Sequence, residues 1–126
     1  MATMTDLEIP LEDRPGTAAA VGDALGGADI NIDGVCAHGG SNGVIHVLLA
    51  DDDVARARSA LAGAGLTVVA ERVAHIVQCP DRPGEMGRVL GRLATADVNL
   101  DVVYLSTTGR IVIAAADDER LGQLLS

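Results

Sequence analysis

Asp13-Arg14-Pro15-Gly16 opens a stretch that closes on Asp29-Ile30-Asn31-Ile32-Asp33-Gly34-Val35, and the chain contains this stretch twice. Residues 81–103, from Asp81-Arg82-Pro83-Gly84 to Asp97-Val98-Asn99-Leu100-Asp101-Val102-Val103, repeat it 68 positions later without a gap. Eleven of the twenty-three positions are identical, among them the four-residue turn, Val21, Leu25, Ala28, Asp29, Asn31, Asp33 and Val35. Only two copies exist and the spacing exceeds that of a solenoid, so the pattern reads as one small unit made twice.

Outward from this stretch the first unit takes shape. Residues 6–11 alternate acidic or proline positions with apolar ones, the period-2 mark of a strand with one wet face. Asp13 is placed to cap a helix whose first turn holds Pro15, with Ala18, Val21 and Leu25 at helical spacing and Gly26-Gly27 as its stop. A strand is expected from Asp29 to Cys36, then a reversal in Gly39–Gly43 and an antiparallel return over Val44–Ala50. Asp51-Asp52-Asp53 leads into a second helix carrying Val54, Ala57, Leu61 and Ala64; the acidic triplet complements the helix dipole. Leu66–Ala70 supplies a fourth strand. The order βαββαβ predicts an α+β, ferredoxin-like antiparallel sheet with both helices on one face.

The second unit follows without a linker, which divides the chain at residues 1–72 and 73–126. His75–Pro80 repeats the first strand, Pro83–Ala94 the helix, and Asp97–Ser106 with Ile111–Ala116 the hairpin, its return strand offset by 66. Leu121–Leu125 begins a second helix, and no residues remain for a fourth strand. That absence predicts a bare edge on the strand holding Ile76 and Gln78, and bare edges invite pairing. A homodimer in which the other subunit fills the gap is the expectation.

A chain of 126 residues can bury about two-thirds of the surface its unfolded form exposes, whereas a unit of half that size is marginal alone. The two repeats should therefore pack on each other or on a second copy of the chain. With no Phe or Trp and one Tyr, the core is aliphatic and offers no stacking platform for bases. The net charge of −9 repels phosphate backbones and anionic lipid, which argues against nucleic-acid and membrane partners. No apolar run reaches membrane-spanning length and residues 1–13 lack an export signal's pattern, so a cytoplasmic location is expected. Cys36 and Cys79, far apart and outside any Cys-x-x-Cys spacing, read as reduced thiols.

Two sets of residues could carry function. A glycine at a helix start lets a ligand approach the backbone, and the orphan N–H groups of the first turn favour a carboxylate or phosphate. The same turn serves equally as a capping sequence. Asn31 and Asn99 each follow the first helix of their unit at one register; an amide suits a ligand bearing both ammonium and carboxylate, although it can also close a turn on the backbone. Cys36, His38 and His46 could meet on one face of the hairpin as a zinc trio. A sheet histidine with a satisfied ring is the better account of His46, so neither metal nor cofactor is expected. Nothing supplies a nucleophile with its base, so the chain does not read as an enzyme.

Asp-Arg-Pro-Gly opening a helix, followed by Asp-(Ile/Val)-Asn-(Ile/Leu) about fifteen residues on, within βαββαβ, resembles the ACT domain. The resemblance covers nearly the whole chain as two ACT-like repeats, the second without its last strand, and implies that they pack side by side into one continuous antiparallel sheet with the helices on one face. It implies a regulatory, allosteric module that binds an amino acid, standing alone or joined to an enzyme of amino-acid metabolism. Carried onto this sequence, it places Asp13, Pro15, Gly16 and Asn31 in one ligand site at the seam between modules. Asp81, Pro83, Gly84 and Asn99 form the other. The rival reading is an assembly subunit that binds no ligand and holds a partner enzyme through its sheet edge.

Overall fold

The computed structural model describes residues 2–126. Strand β1 (Ala2–Pro10) leads to helix α1 (Thr17–Gly27), the hairpin β2 (Gly34–His38) and β3 (Val44–Leu49), and helix α2 (Val54–Gly63), entered through a 3-10 turn at Asp51–Asp53. After β4 (Ala70–Val77) come α3 (Glu85–Thr95), β5 (Val102–Leu105), β6 (Ile111–Ala114) and α4 (Asp118–Leu125). The strands form one antiparallel sheet in the order β2-β3-β1-β4-β6-β5. None of these helices is long and apolar enough to cross a membrane.

The sheet has six strands where seven were expected, because β4 does two jobs. Residues 66–79 contain no Gly, Pro, Asn or Asp, so the chain has no means of reversing there. Instead of two strands it makes one, which is both the fourth strand of the first unit and the first strand of the second. One edge of β4 pairs with β1 and the other with β6. Ile76 thus faces Ala2 on one side and Val112 on the other, and Gln78 lies beyond the strand's end. The bare edge predicted on this strand does not exist: β1 of the same chain occupies it, and no second subunit is required there. In the β1–β4 ladder Thr5 faces Val73, residues that are counterparts under the repeat spacing. β1 and β4 thus lie side by side at the centre of the one sheet.

All four helices pack on one face. Leu7, Ile9, Ile45, Val47 and Leu49 meet Val21 and Leu25 of α1 and Ala57 and Leu61 of α2. Val77, Ile111 and Ile113 meet Val89 and Leu93 of α3 and Leu121 and Leu125 of α4. The opposite face carries no helix and buries itself by curling. A bridge between Gly34 and Ser106 joins the two outer strands at one end, and the Thr107 amide donates to the Asp33 carbonyl at 2.9 Å. A Cβ on Gly34 would lie 3.2 Å from both Leu48 Cβ and the Tyr104 ring, so the closure depends on glycine at that point. Inside the curl lie Leu48, Ala74, Ile76, Val102, Tyr104, Val112 and Ala114.

Candidate functional site

The duplicated turn has one geometry in both copies. The Arg14 amide donates to Glu12 O and the Arg82 amide to Pro80 O, each at 2.9 Å, and Gly16 and Gly84 follow with φ of 93° and 89°. That left-handed conformation is why glycine stands in both places. The helices begin after it, at Thr17 and Glu85, so Pro15 and Pro83 lie in the turn rather than in the first helical turn. Asp13 does not cap α1: the N-cap residues are Gly16 and Gly84, and no side chain caps either helix start.

Beside the first turn lies an open cleft of about 500 Å³. Asp13, Pro15 and Gly16 line it together with Ala18 on the first turn of α1 and His38 and Gly40 of the β2–β3 hairpin. The second turn borders a smaller cleft of about 390 Å³, lined by Asp81, Arg82, Met86, Leu105 and Thr108, whereas Pro83 and Gly84 lie outside its lining.

The two asparagines are placed otherwise than expected. Asp29 and Asp97 adopt φ of 59° and 61°, and the amides that follow turn back onto the helix: Ile30 N donates to Leu25 O and Val98 N to Leu93 O, both at 3.0 Å. With Asp29 N to Gly26 O and Asp97 N to Ala94 O, these form a Schellman closure at each helix end. Helix α1 runs through Gly26-Gly27 before this closure. Asn31 and Asn99 sit in the connection after it, exposed and ahead of strands that begin only at Gly34 and Val102. Asn31 Nδ2 donates to Asp33 Oδ1 at 2.9 Å. An eleven-residue helix carries the chain about 16 Å, so each asparagine emerges at the opposite end of its unit from its own turn, and neither lines that cleft. It is Asp33, two residues on, that meets the second half of the chain, its carbonyl accepting from the Thr107 amide at 2.9 Å. Asp33 borders a small cavity of about 140 Å³ with Ser106 and Thr108, and Thr108 also lines the Asp81 cleft.

Within the curl, charged groups converge that the alternating pattern had assigned to solvent. Asp6 is fully buried, and it accepts from Tyr104 OH at 2.6 Å and meets His46 Nδ1 at 3.0 Å. Arg72 Nη1 lies 3.6 Å from the same carboxylate and 2.8 Å from Glu8. Burial, then the hydrogen bond to the Asp6 carboxylate, pushes the Tyr104 phenol well above its ordinary value. Cys36 does stand opposite His46 in the hairpin, as the spacing implied, but the imidazole is committed to Asp6. Among the described residues no three His, Cys, Asp or Glu side chains are placed so that they could hold a metal ion, and Cys36, His38 and His46 form no such group. Both cysteines are free thiols. The signal for this cluster was the lone Tyr, since one phenol in an aliphatic core needs a polar partner.

No family model matches the chain, and no curated protein does. Solved structures do match. Protein BT0572 from Bacteroides thetaiotaomicron is similar over 98% of this chain and 86% of its own, with a TM-score of 0.80 at 23% identity. The regulatory subunit of aspartate kinase from Thermus thermophilus is similar over 98% and 87%, with a TM-score of 0.69 at 21% identity. The corresponding subunit from Thermus flavus is similar over 98% and 90%, with a TM-score of 0.65 at 22% identity. At such identities the likeness establishes the fold.

Proposed function

We propose that the chain is a regulatory module of the ACT type that binds a free amino acid beside its Asp-Arg-Pro-Gly turn and passes that state to an enzyme of amino-acid metabolism. The observation that carries this reading is the first turn: an uncapped helix start, held open by a left-handed glycine and facing a cleft with room for a small zwitterion. Main-chain N–H groups of α1 would receive the carboxylate and Asp13 the ammonium. The fold shared with regulatory subunits of aspartate kinase supports a regulatory rather than a catalytic role. Asn31 and Asn99 lie outside the linings of both turn clefts, and we propose that each completes the site at the turn of the other repeat, Asn99 with Asp13, Pro15 and Gly16 and Asn31 with Asp81, Pro83 and Gly84.

A thermal-shift screen of the twenty L-amino acids tests this. Occupancy at a hundredfold over Kd stabilises by about 2.7 kcal/mol, several degrees for a domain of this size. Asn99→Ala is then expected to weaken binding at the first turn, and silence from all twenty compounds would refute the ligand reading.

A second reading, an assembly subunit without a ligand, keeps one observation. Residues 35–38 of edge strand β2 are exposed, and Val35 on β2 and Leu105 on β5 are each 51% exposed. A partner strand could add there. A silent screen together with co-purification of an enzyme, lost on Val35→Lys, would favour it.

A further inference from the structure

The closure that joins the outer strands encloses the cavity of about 140 Å³ beside Asp33. Met4, Leu48 and Ile76 form its apolar side; Leu48 is fully buried, Ile76 nearly so, and Met4 packs against their cluster. The loop from Ser106 to Arg110, together with Asp33, forms the polar side. That side is fixed by its own hydrogen bonds. Ser106 N donates to Arg110 O at 2.8 Å, and Ser106 Oγ accepts from the amides of Arg110 at 3.1 Å and Thr108 at 3.3 Å. The Asp33 carbonyl accepts from both the amide and the hydroxyl of Thr107, at 2.9 and 3.1 Å. Its carboxylate is engaged at one oxygen, Oδ1, by Asn31 at 2.9 Å, which leaves Oδ2 available.

Two opposite charges thus line one cavity without forming an ion pair. Elsewhere the arginines are used up: Arg14, Arg56, Arg58, Arg72, Arg82 and Arg88 meet carboxylates, and Arg120 donates to Ala96 O. Among the described residues Arg92 and Arg110 keep guanidinium groups with no partner, and of these two it is Arg110 that lines this cavity. An arginine left unpaired in a chain with eighteen acidic residues, across a cavity from an aspartate with a free oxygen, has the form of a recognition pair.

We infer that this cavity is a ligand site separate from the turns, and that it takes a small zwitterion: a free α-amino acid with a short side chain, such as glycine, alanine or serine. The volume is well below the roughly 300–1,000 Å³ of pockets that hold drug-sized molecules. Arg110 offers the planar fork that matches a carboxylate, and Asp33 Oδ2 accepts from an ammonium. A short side chain then covers the apolar side. A ligand with one charge would leave the opposite group desolvated and without a partner, which is what selects the zwitterion. Asp33 belongs to the first unit and Arg110 to the second, so the ligand bridges the repeats at the point where the curl is closed. The site does not depend on the turn clefts.

Backbone amide signals of Asp33, Gly34 and Arg110 report on this cavity, and those of residues 16–18 and 84–86 on the turns. The full chain is titrated with glycine, L-alanine and L-serine, and with acetate and methylamine as carriers of one charge each. Saturable shifts at Asp33, Gly34 and Arg110 are expected with at least one of the three amino acids. Acetate and methylamine are expected to bind there at least about tenfold more weakly. Arg110→Gln and Asp33→Asn are each expected to weaken the amino acid at these signals by about tenfold or more, leaving any response at the turns in place. Arg110 is exposed and its side chain holds nothing else, so Arg110→Gln decides alone if Asp33→Asn loses the native spectrum. Silence at the three signals in the native chain would overturn the inference, as would shifts that persist unchanged in Arg110→Gln. Acetate or methylamine binding as tightly as the amino acid would overturn it too, by showing a site for a single charge. Shifts confined to residues 16–18 or 84–86 would sink this site and support the turn reading.

Discussion

The helix-free face of the sheet is polar in one repeat and apolar in the other. Asp6, Glu8, Cys36 and His46 of the first unit correspond, by ladder position, to Ala74, Ile76, Tyr104 and Val112 of the second. The backbone devices were kept in both units: the turn, its left-handed glycine, the Schellman closure. The interior of the curl was not. Its polar half pairs His46 with Asp6 and gains one partner from the other unit, since Tyr104 reaches Asp6 across 98 positions of sequence, while Arg72 meets it from the shared strand. What divergence removed in symmetry it restored as a tie between the halves, and marginal units of this size need such a tie to fold as one.

The tie is broken most severely at Asp6. Asp6→Ala leaves Tyr104, His46 and Arg72 turned toward an empty space, and breaking a buried, hydrogen-bonded charge cluster costs about 3–5 kcal/mol. Denaturant unfolding is expected to register that loss as a lower midpoint. A loss under about 1 kcal/mol would place the cluster at the level of a surface ion pair, and the tie would not exist.

Tyr104→Phe is gentler, because Asp6 keeps His46 and Arg72. Loss of one hydrogen bond to a charged group costs about 1.5–3 kcal/mol. The residue also reports on itself, being the only Tyr in the chain. Its folded-state pKa is raised, so its contribution to stability is complete below the unfolded value of about 10 and is lost as pH climbs above it. Phenolate absorbance at 295 nm is therefore expected to appear only together with alkaline unfolding. Ionisation in a still-folded chain near the free-tyrosine value would mean that Tyr104 is not held by Asp6.

Much of this comparison was legible in the sequence, and the limits were physical. The hairpins' shorter offset reappears in the ladders, where Cys36 faces His46 and Tyr104 faces Val112. The shared strand was misread as two, although residues 66–79 lack any turn former and a reversal there had no chemistry to support it. Asp6 was misread because period-2 alternation distinguishes the faces of a strand without telling which becomes wet. Where the sheet curls so that its outer strands touch at Gly34 and Ser106, the helix-free face buries Asp6 as well. The asparagines were misplaced for a related reason. The repeated Asp29-x-Asn31 pattern encodes the closure of a helix, through Asp29 in a left-handed conformation, and only secondarily the start of a strand.

The conserved devices should respond alike in the two units, and the turn glycines test this at the next level down. Gly16→Ala and Gly84→Ala meet no atom within 4 Å of the added Cβ, so the cost is backbone strain alone, about 1–2 kcal/mol for a left-handed residue. Both variants are expected to lose the same amount by denaturant unfolding. A much larger loss at one turn would show that the two copies no longer carry equal structural weight.

The smallest effect runs the other way. Asp29 and Asp97 hold φ near +60° at the residue after each helix end, a place glycine fills without strain. Asp29→Gly and Asp97→Gly each relieve the left-handed cost of a Cβ but add freedom to the unfolded chain, which offsets much of the gain. A net stabilisation of up to about 1 kcal/mol is expected at both positions. The pair of measurements matters more than either alone. Both side chains are exposed and neither makes a side-chain hydrogen bond among the described residues, so strain is the only local difference between Asp and Gly. If one variant gains while the other loses, the losing aspartate does work that the closure does not explain, and its position beside the connection bearing Asn31 or Asn99 would make it the next residue to test for ligand contact.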